Sequence, residues 1–178
     1  MRLIAFTAPA GGVGCTTVAA HAALILQALG HDCLAVELQG RNQIGAHLGL
    51  PQPPQQGWAQ RAAQGLWWGD AALSTQTGLR LLPFGPCAPA EQSALARYTL
   101  DEPGWLRRQL QELQLPPDSL VLLDVGPPTT ALAWQALELA DAVVCCTTPA
   151  LDSVQALPAL LDALRPLARE HAWLSLLA

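Results

Sequence analysis

The stretch Ala8-Pro9-Ala10-Gly11-Gly12-Val13-Gly14-Cys15-Thr16-Thr17 joins an apolar, strand-like run, Leu3 to Phe6, to a run with helical spacing that ends at Gly30. Glycines at positions 11, 12 and 14 let the backbone turn tightly and bring N–H groups to an anion with no Cβ in the way, while the following helix presents its positive end. The segment is therefore expected to form a strand–loop–helix unit with a phosphate cradle at the turn. Gly11, Gly12, Val13, Gly14, Cys15, Thr16 and Thr17 would supply it, with the two threonine hydroxyls placed for a metal and a phosphate oxygen. The usual phosphate-loop pattern, G-x-x-x-x-G-K-[ST], is broken twice, because Pro9 stands at its first glycine and Cys15 at its lysine. No other lysine can compensate, since the chain has none.

Outward from the loop, short apolar runs alternate with helical patterns. Strands are expected at Cys33 to Val36, along Leu79 to Gly85 where a strand runs into a loop, and at Ser119 to Val125, Ala142 to Thr147 and Trp173 to Leu177. Helices are expected after the loop, through Val18, Ala22, Ile25, Leu26 and Leu29; from Gly57 to Gly65; and from Asp101, read as an N-cap, through Leu106, Leu110 and Leu113. Two more should follow, at Thr129 to Leu139 and along Leu151, Val154, Leu157, Leu160, Leu161, Leu164 and Leu167, the last containing Pro158. Such alternation predicts an α/β fold, a doubly wound, mostly parallel sheet with helices on both faces, built as one domain over residues 1–178.

Composition narrows the function classes. Of 178 residues, 51% are hydrophobic and 13% charged, about half the ~25% charged residues usual in soluble domains, which points to a partner-facing surface. The net charge of −5, with arginines scattered singly apart from Arg107-Arg108, argues against nucleic-acid binding. No apolar run approaches the roughly 20 residues of a membrane span. Five cysteines without a C-x-x-C pair suggest a reducing cytoplasm rather than a disulfide framework, and the four histidines lack metal-site spacing. The Trp67-Trp68 pair reads either as core or as an interface anchor.

In a parallel sheet the glycine loop, Glu37 and Asp124 all fall at strand carboxyl ends, where open α/β sheets bind ligands. Thr16, Glu37 and Asp124 then form a candidate Mg²⁺ set beside the cradle. A dinucleotide fingerprint fits less well, as its third glycine would fall on Thr17. The bland alternative is a tight glycine turn, with Asp124 capping the next helix.

These residues resemble the MinD/ParA group of P-loop proteins, whose loop K-G-G-x-G-K-T-T aligns with Ala10 to Thr17. Within it the chain is similar to the BcsQ (YhjQ) family encoded with bacterial cellulose synthase, through Gln56-Gly57-Trp58-Ala59-Gln60, Trp68-Gly69-Asp70-Ala71 and Leu81-Leu82-Pro83-Phe84-Gly85. The resemblance implies ATP or ADP with Mg²⁺ as ligand. It also implies a cytoplasmic accessory role, with the cellulose synthase complex or its cytoplasmic subunits as partners, as a homodimer or hetero-oligomer recruited to the inner membrane or cell pole. It marks three departures: Ala10 and Cys15 replace the group's two lysines, and Gln39 replaces the second acid of its D-x-D. Nucleotide binding without turnover is therefore expected and no catalytic residue is assigned. An active ATPase and a pure interaction module with a vestigial loop are the alternatives.

Overall fold

The computed structural model describes residues 1–167 and 173–177. Strands β1 (Arg2–Thr7), β2 (Cys33–Glu37), β3 (Leu73–Ser74), β4 (Arg80–Leu82), β5 (Leu120–Gly126), β6 (Ala142–Thr147) and β7 (Trp173–Leu177) form one seven-stranded sheet in the order β3-β4-β2-β5-β1-β6-β7. Every pairing is parallel except that of β3 with β4. The helices are α1 (Cys15–Ala28), α2 (Ile44–His47), α3 (Trp58–Ala63), α4 (Pro89–Asp101), α5 (Trp105–Glu112), α6 (Ala131–Leu139) and α7 (Leu151–Leu164). The expected doubly wound α/β fold is what forms.

The period-two alternation of a strand explains why both faces need helices. Leu3 and Ala5 of β1, Leu34 and Val36 of β2, and Val121, Leu123 and Val125 of β5 enter one core with residues of α3 to α7. Their neighbours Phe6, Cys33, Ala35 and Leu122 enter a second core with α1 and α2. Both faces are apolar, so the strands read as unbroken hydrophobic runs.

Several local expectations change. On α1 the buried positions are Cys15, Ala19, Ala20 and Ala23, while Ile25 and Leu29 are 60% and 70% exposed. Small side chains let this helix lie close on the sheet, with Val18, Ala22, Leu24 and Leu26 packed partly buried beside them. On α7 Leu160 and Leu164 are buried and Leu151 and Val154 are exposed, with Pro158 inside the helix. Asp101 is not an N-cap. It ends α4, and α5 starts at Trp105 because Pro103 pushes Glu102 out of the helical region, to φ −120° and ψ 79°. Helix α4 itself has a weak apolar stripe, yet Pro89 at its start and the Glu91 carboxylate, accepting from the Ala88 N–H at 2.9 Å, define its beginning.

The tryptophan pair is split. Trp68 is fully buried and packs on Trp58 and Trp105 at centroid distances of 5.6 and 5.8 Å, its indole N–H donating to the Gln109 carbonyl at 3.1 Å. Trp67 is 44% exposed and lies over Gly69. Consecutive residues at the start of a 3-10 turn point in different directions, so only one of the pair could enter the core.

Candidate phosphate-binding site

Strand β1 delivers the chain to the glycine loop, and the loop delivers it to α1. Gly12 and Gly14 adopt φ of 80° and 84°, with open space where a Cβ would project, so the loop takes left-handed turns that favour glycine and leaves a cradle for a ligand. Gly14 is also the N-cap of α1, with no side chain capping the helix and no acid in its first turn. The first N–H groups of α1 are left to a ligand.

A cleft of about 190 Å³ opens at this point, lined by Ala10, Gly11, Gly12, Gly14, Cys15, Thr16 and Thr17 of the loop together with Gln39, Arg41, Gln43, His47, Gly126 and Pro127. Val13 is buried in the core beneath and has no place in this lining. The Cys15 side chain is buried too. A hydrogen bond with Cys146 and then burial push its thiol far up, so it is no low-pKa nucleophile despite lying at a helix N-terminus.

Parallel registration sets Glu37 opposite Asp124 and Phe6 opposite Asp124. Asp124 reaches the loop: its Oδ2 accepts from the Thr16 hydroxyl at 2.8 Å. Its Oδ1 faces the Gln39 amide nitrogen at 3.4 Å. It does not cap the next helix, a task performed by Thr130, which accepts from the Ala133 N–H at 3.2 Å. Burial raises the Asp124 carboxyl to about 6, against the pull of Thr16 and Gln39.

Glu37 does not join this group. Its Oε1 accepts from the backbone N–H groups of Gln43 and Ile44 at 2.6 and 3.1 Å, starting α2, while Oε2 is buried without a partner. Burial lifts it to about 7, with Asp124 adding to the rise and the two amides opposing it. Of the three residues read as metal ligands, the geometry sets only Thr16 and Asp124 side by side. Their hydroxyl and carboxylate are hard oxygen donors, the type that holds Mg²⁺ together with phosphate oxygens.

Arg41, Gln43 and His47 were not singled out by sequence, and Gln39 was noted only as standing where the group has a second acid, although all four follow within ten positions of Glu37. The signal was available: with no lysine in the chain, an arginine just beyond a strand carboxyl end was the natural cation to look for. A second, larger cleft of about 690 Å³ adjoins the loop on the β2–β5 side, between α4 and α6, and Gly11, Gln39 and Arg41 line both clefts.

Behind the site, the glycine pair Gly57 and Gly85 cross so closely that a Cβ on Gly57 would fall 2.1 Å from the Phe84 carbonyl oxygen. Trp58 donates its indole N–H to the Glu37 carbonyl at 2.7 Å. Asn42, at φ 53°, accepts from the Gly85 N–H at 2.6 Å and donates to the Gly85 carbonyl at 3.0 Å. The segment 38–43 is thus tied to the tryptophan core.

Comparison with known proteins agrees with this architecture. A chain of cobyrinic acid a,c-diamide synthase from Mycobacterium smegmatis, solved with an ATP analogue and magnesium, superposes with a TM-score of 0.78 at 20% identity, covering 99% of this chain and 72% of that one. A chain of the Aquifex aeolicus MinC:MinD cell division complex gives 0.74 at 18% identity, covering 99% and 68%. Among curated sequences, cellulose biosynthesis protein BcsQ of Escherichia coli is 36% identical over 92 residues, 52% of this chain and 37% of that protein. BcsQ of Salmonella typhimurium is 31% identical over 144 residues, 79% of this chain and 56% of that protein. The match thus spans about a third to just over half the length of these relatives. The family model described as cellulose biosynthesis protein BcsQ matches residues 1–173, and the chain belongs to the BcsQ family.

Proposed function

We propose that this chain is a nucleotide-binding accessory protein of bacterial cellulose synthesis, holding ATP or ADP with Mg²⁺ and turning it over no faster than background. The observation that carries the reading is an open glycine cradle beside a Thr16–Asp124 pair, in a loop with no lysine. Backbone N–H groups of residues 11 to 17 would hold the phosphates. Thr16 and Asp124 would hold Mg²⁺, which neutralises phosphate charge when bound.

Magnitudes separate binding from turnover. One missing charge-assisted contact costs about 1.5–3 kcal/mol, which a set of backbone donors tolerates. A missing preorganised donor costs about 10²–10³ in rate, and here Ala10, Cys15 and Gln39 stand at three positions the group uses for hydrolysis. Gln39 also has an amide facing Asp124, where a second carboxylate would be repelled.

The cellulose context follows from the family. Residues 1–178 are read as one unit, cytoplasmic and brought to the inner membrane or cell pole by the synthase complex or its accessory subunits. No helix among the described residues is long and apolar enough to cross a membrane. Half-exposed Leu66, Trp67 and Tyr98 offer an apolar surface for such a partner, or for a second copy.

Calorimetry with ATP and Mg²⁺, followed by a phosphate-release assay, tests the reading. Saturable binding with phosphate release at the buffer rate is expected. No heat and no thermal stabilisation at saturating nucleotide would leave the loop vestigial. Release that disappears in Asp124→Ala would mark an active ATPase.

A further inference from the structure

The phosphate cradle has lost its own cation. Position 15 is a buried, free cysteine, and the chain contains no lysine. The permanent positive charge in the cleft comes instead from Arg41, four residues beyond β2. Its Nη2 lies 3.1 Å from where a Cβ on Gly11 would stand, with Nη1 at 3.7 Å, so the guanidinium rests over the first glycine of the loop. No carboxylate pairs with it among the described residues, whereas Arg61, Arg80, Arg108 and Arg165 each have one.

This placement is built. Asn42, next in sequence, is held in a left-handed conformation by its two hydrogen bonds to the Gly85 backbone, and Gly85 is locked against Gly57. The backbone at Arg41 is thereby fixed relative to the sheet, while its side chain stays exposed at the cleft. A planar guanidinium carries five donors and pairs with phosphate oxygens in a bidentate way, which a single ammonium cannot do.

We infer that Arg41, reaching in from the segment after β2, is the cation that clamps the phosphate chain of a bound nucleotide in place of the missing loop lysine. The assignment rests on the nucleotide-binding reading above and adds the residue that makes a lysine-free loop workable. It also makes binding depend on where segment 38–43 stands, because the charge is not carried by the loop itself.

The test is calorimetric titration of the whole chain with ATP and Mg²⁺, for the parent, Arg41→Ala, Arg41→Gln and Arg41→Lys, with the melting temperature of each variant measured without nucleotide. Arg41→Ala should weaken ATP about 10- to 100-fold, Arg41→Gln similarly and Arg41→Lys less, with nucleotide-free melting unchanged. The parent should also lose affinity with added salt more steeply than Arg41→Ala. A parent that binds ATP while Arg41→Ala and Arg41→Gln bind equally well overturns the clamp and leaves the nucleotide reading standing. A parent that binds no nucleotide removes both. Should Arg41→Ala melt lower, Arg41→Gln decides: affinity equal to the parent's counts against the clamp, and a loss that Lys partly restores supports it.

Discussion

Replacing Gly57 by alanine isolates the close crossing that supports the site. Gly57 is extended, at φ −154° and ψ 172°, a conformation open to any residue, so space alone decides the outcome. An added Cβ would fall 2.1 Å from the Phe84 carbonyl oxygen and 2.3 Å from both the N and Cα of Gly85, where ordinary contact starts at 3.4 Å. The two segments must therefore part by about 3.4 − 2.1 ≈ 1.3 Å. That displacement breaks the bonds from the Trp58 N–H to the Pro83 carbonyl (3.0 Å) and from the Ala59 N–H to the Phe84 carbonyl (3.2 Å). It also disturbs the packing of Trp58 on Phe84, whose ring centroids are 5.1 Å apart. Each buried bond lost costs about 1–3 kcal/mol and overpacking adds about 1–3, so a loss of about 3–9 kcal/mol is expected against a typical total of about 5–15. Urea unfolding, followed by tryptophan fluorescence and far-ultraviolet circular dichroism, measures it. Gly104→Ala is the matched control, since its Cβ meets only Arg108 Nη1, at 3.6 Å, and its φ is −93°. Unfolding of Gly57→Ala at the same urea concentration as the control would refute the argument.

The split tryptophan pair predicts unequal losses: Trp68→Ser should cost about 3–5 kcal/mol, as large core truncations do, whereas Trp67→Ser should cost less than about 1 kcal/mol. Equal losses in thermal melts would show that the two side chains share one environment. The pH dependence of stability follows from two buried carboxyls lifted by desolvation, Glu37 to about 7 and Asp124 to about 6. Because the folded state holds these protons more tightly, their contribution is full below about pH 4 and is lost as pH rises to about 7, by on the order of 3 kcal/mol for Glu37. Urea unfolding in magnesium-free buffer should show that decline, flattened in Glu37→Gln; a parent whose stability rises over this range contradicts it.

The fold was legible because its strands announce themselves. Leu120 to Leu123 and Ala142 to Cys146 are apolar on both faces, and only a sheet covered on both sides uses such runs. The loop was equally plain, as glycine spacing maps directly onto backbone geometry. Helix faces were less so: α1 buries alanines and exposes Ile25 and Leu29, and hydrophobicity alone cannot tell a close-packed small residue from a surface one. Among the site residues, Asp124 lies near the carboxyl end of β5, beside the loop, where it accepts from the Thr16 hydroxyl. Glu37, at the equivalent end of β2, was captured by the amides of Gln43 and Ile44, a local competition that strand registration does not reveal. Arg41 was passed over although it follows a strand end closely: its place over Gly11 also depends on Asn42, whose bonds to Gly85, 43 residues away in sequence, fix the segment that carries it.

The segments that carry the family resemblance do not line the phosphate cleft. Gln56 to Gln60, Trp68 to Ala71 and Leu81 to Gly85 instead meet one another behind it, where Trp58 packs on Trp68, Phe84 and Trp105. From that cluster one hydrogen bond reaches the end of β2 through the Glu37 carbonyl, and two more reach Asn42. On its other side, Trp105 lines a cleft of about 270 Å³ shared with Leu66, Trp67 and Tyr98. A single packed block therefore stands between the segment bearing Arg41 and the half-exposed apolar surface. On the clamp inferred above, a loop without its own cation relies on a second segment held in place, and the glycine crossing and buried tryptophans are what hold that segment.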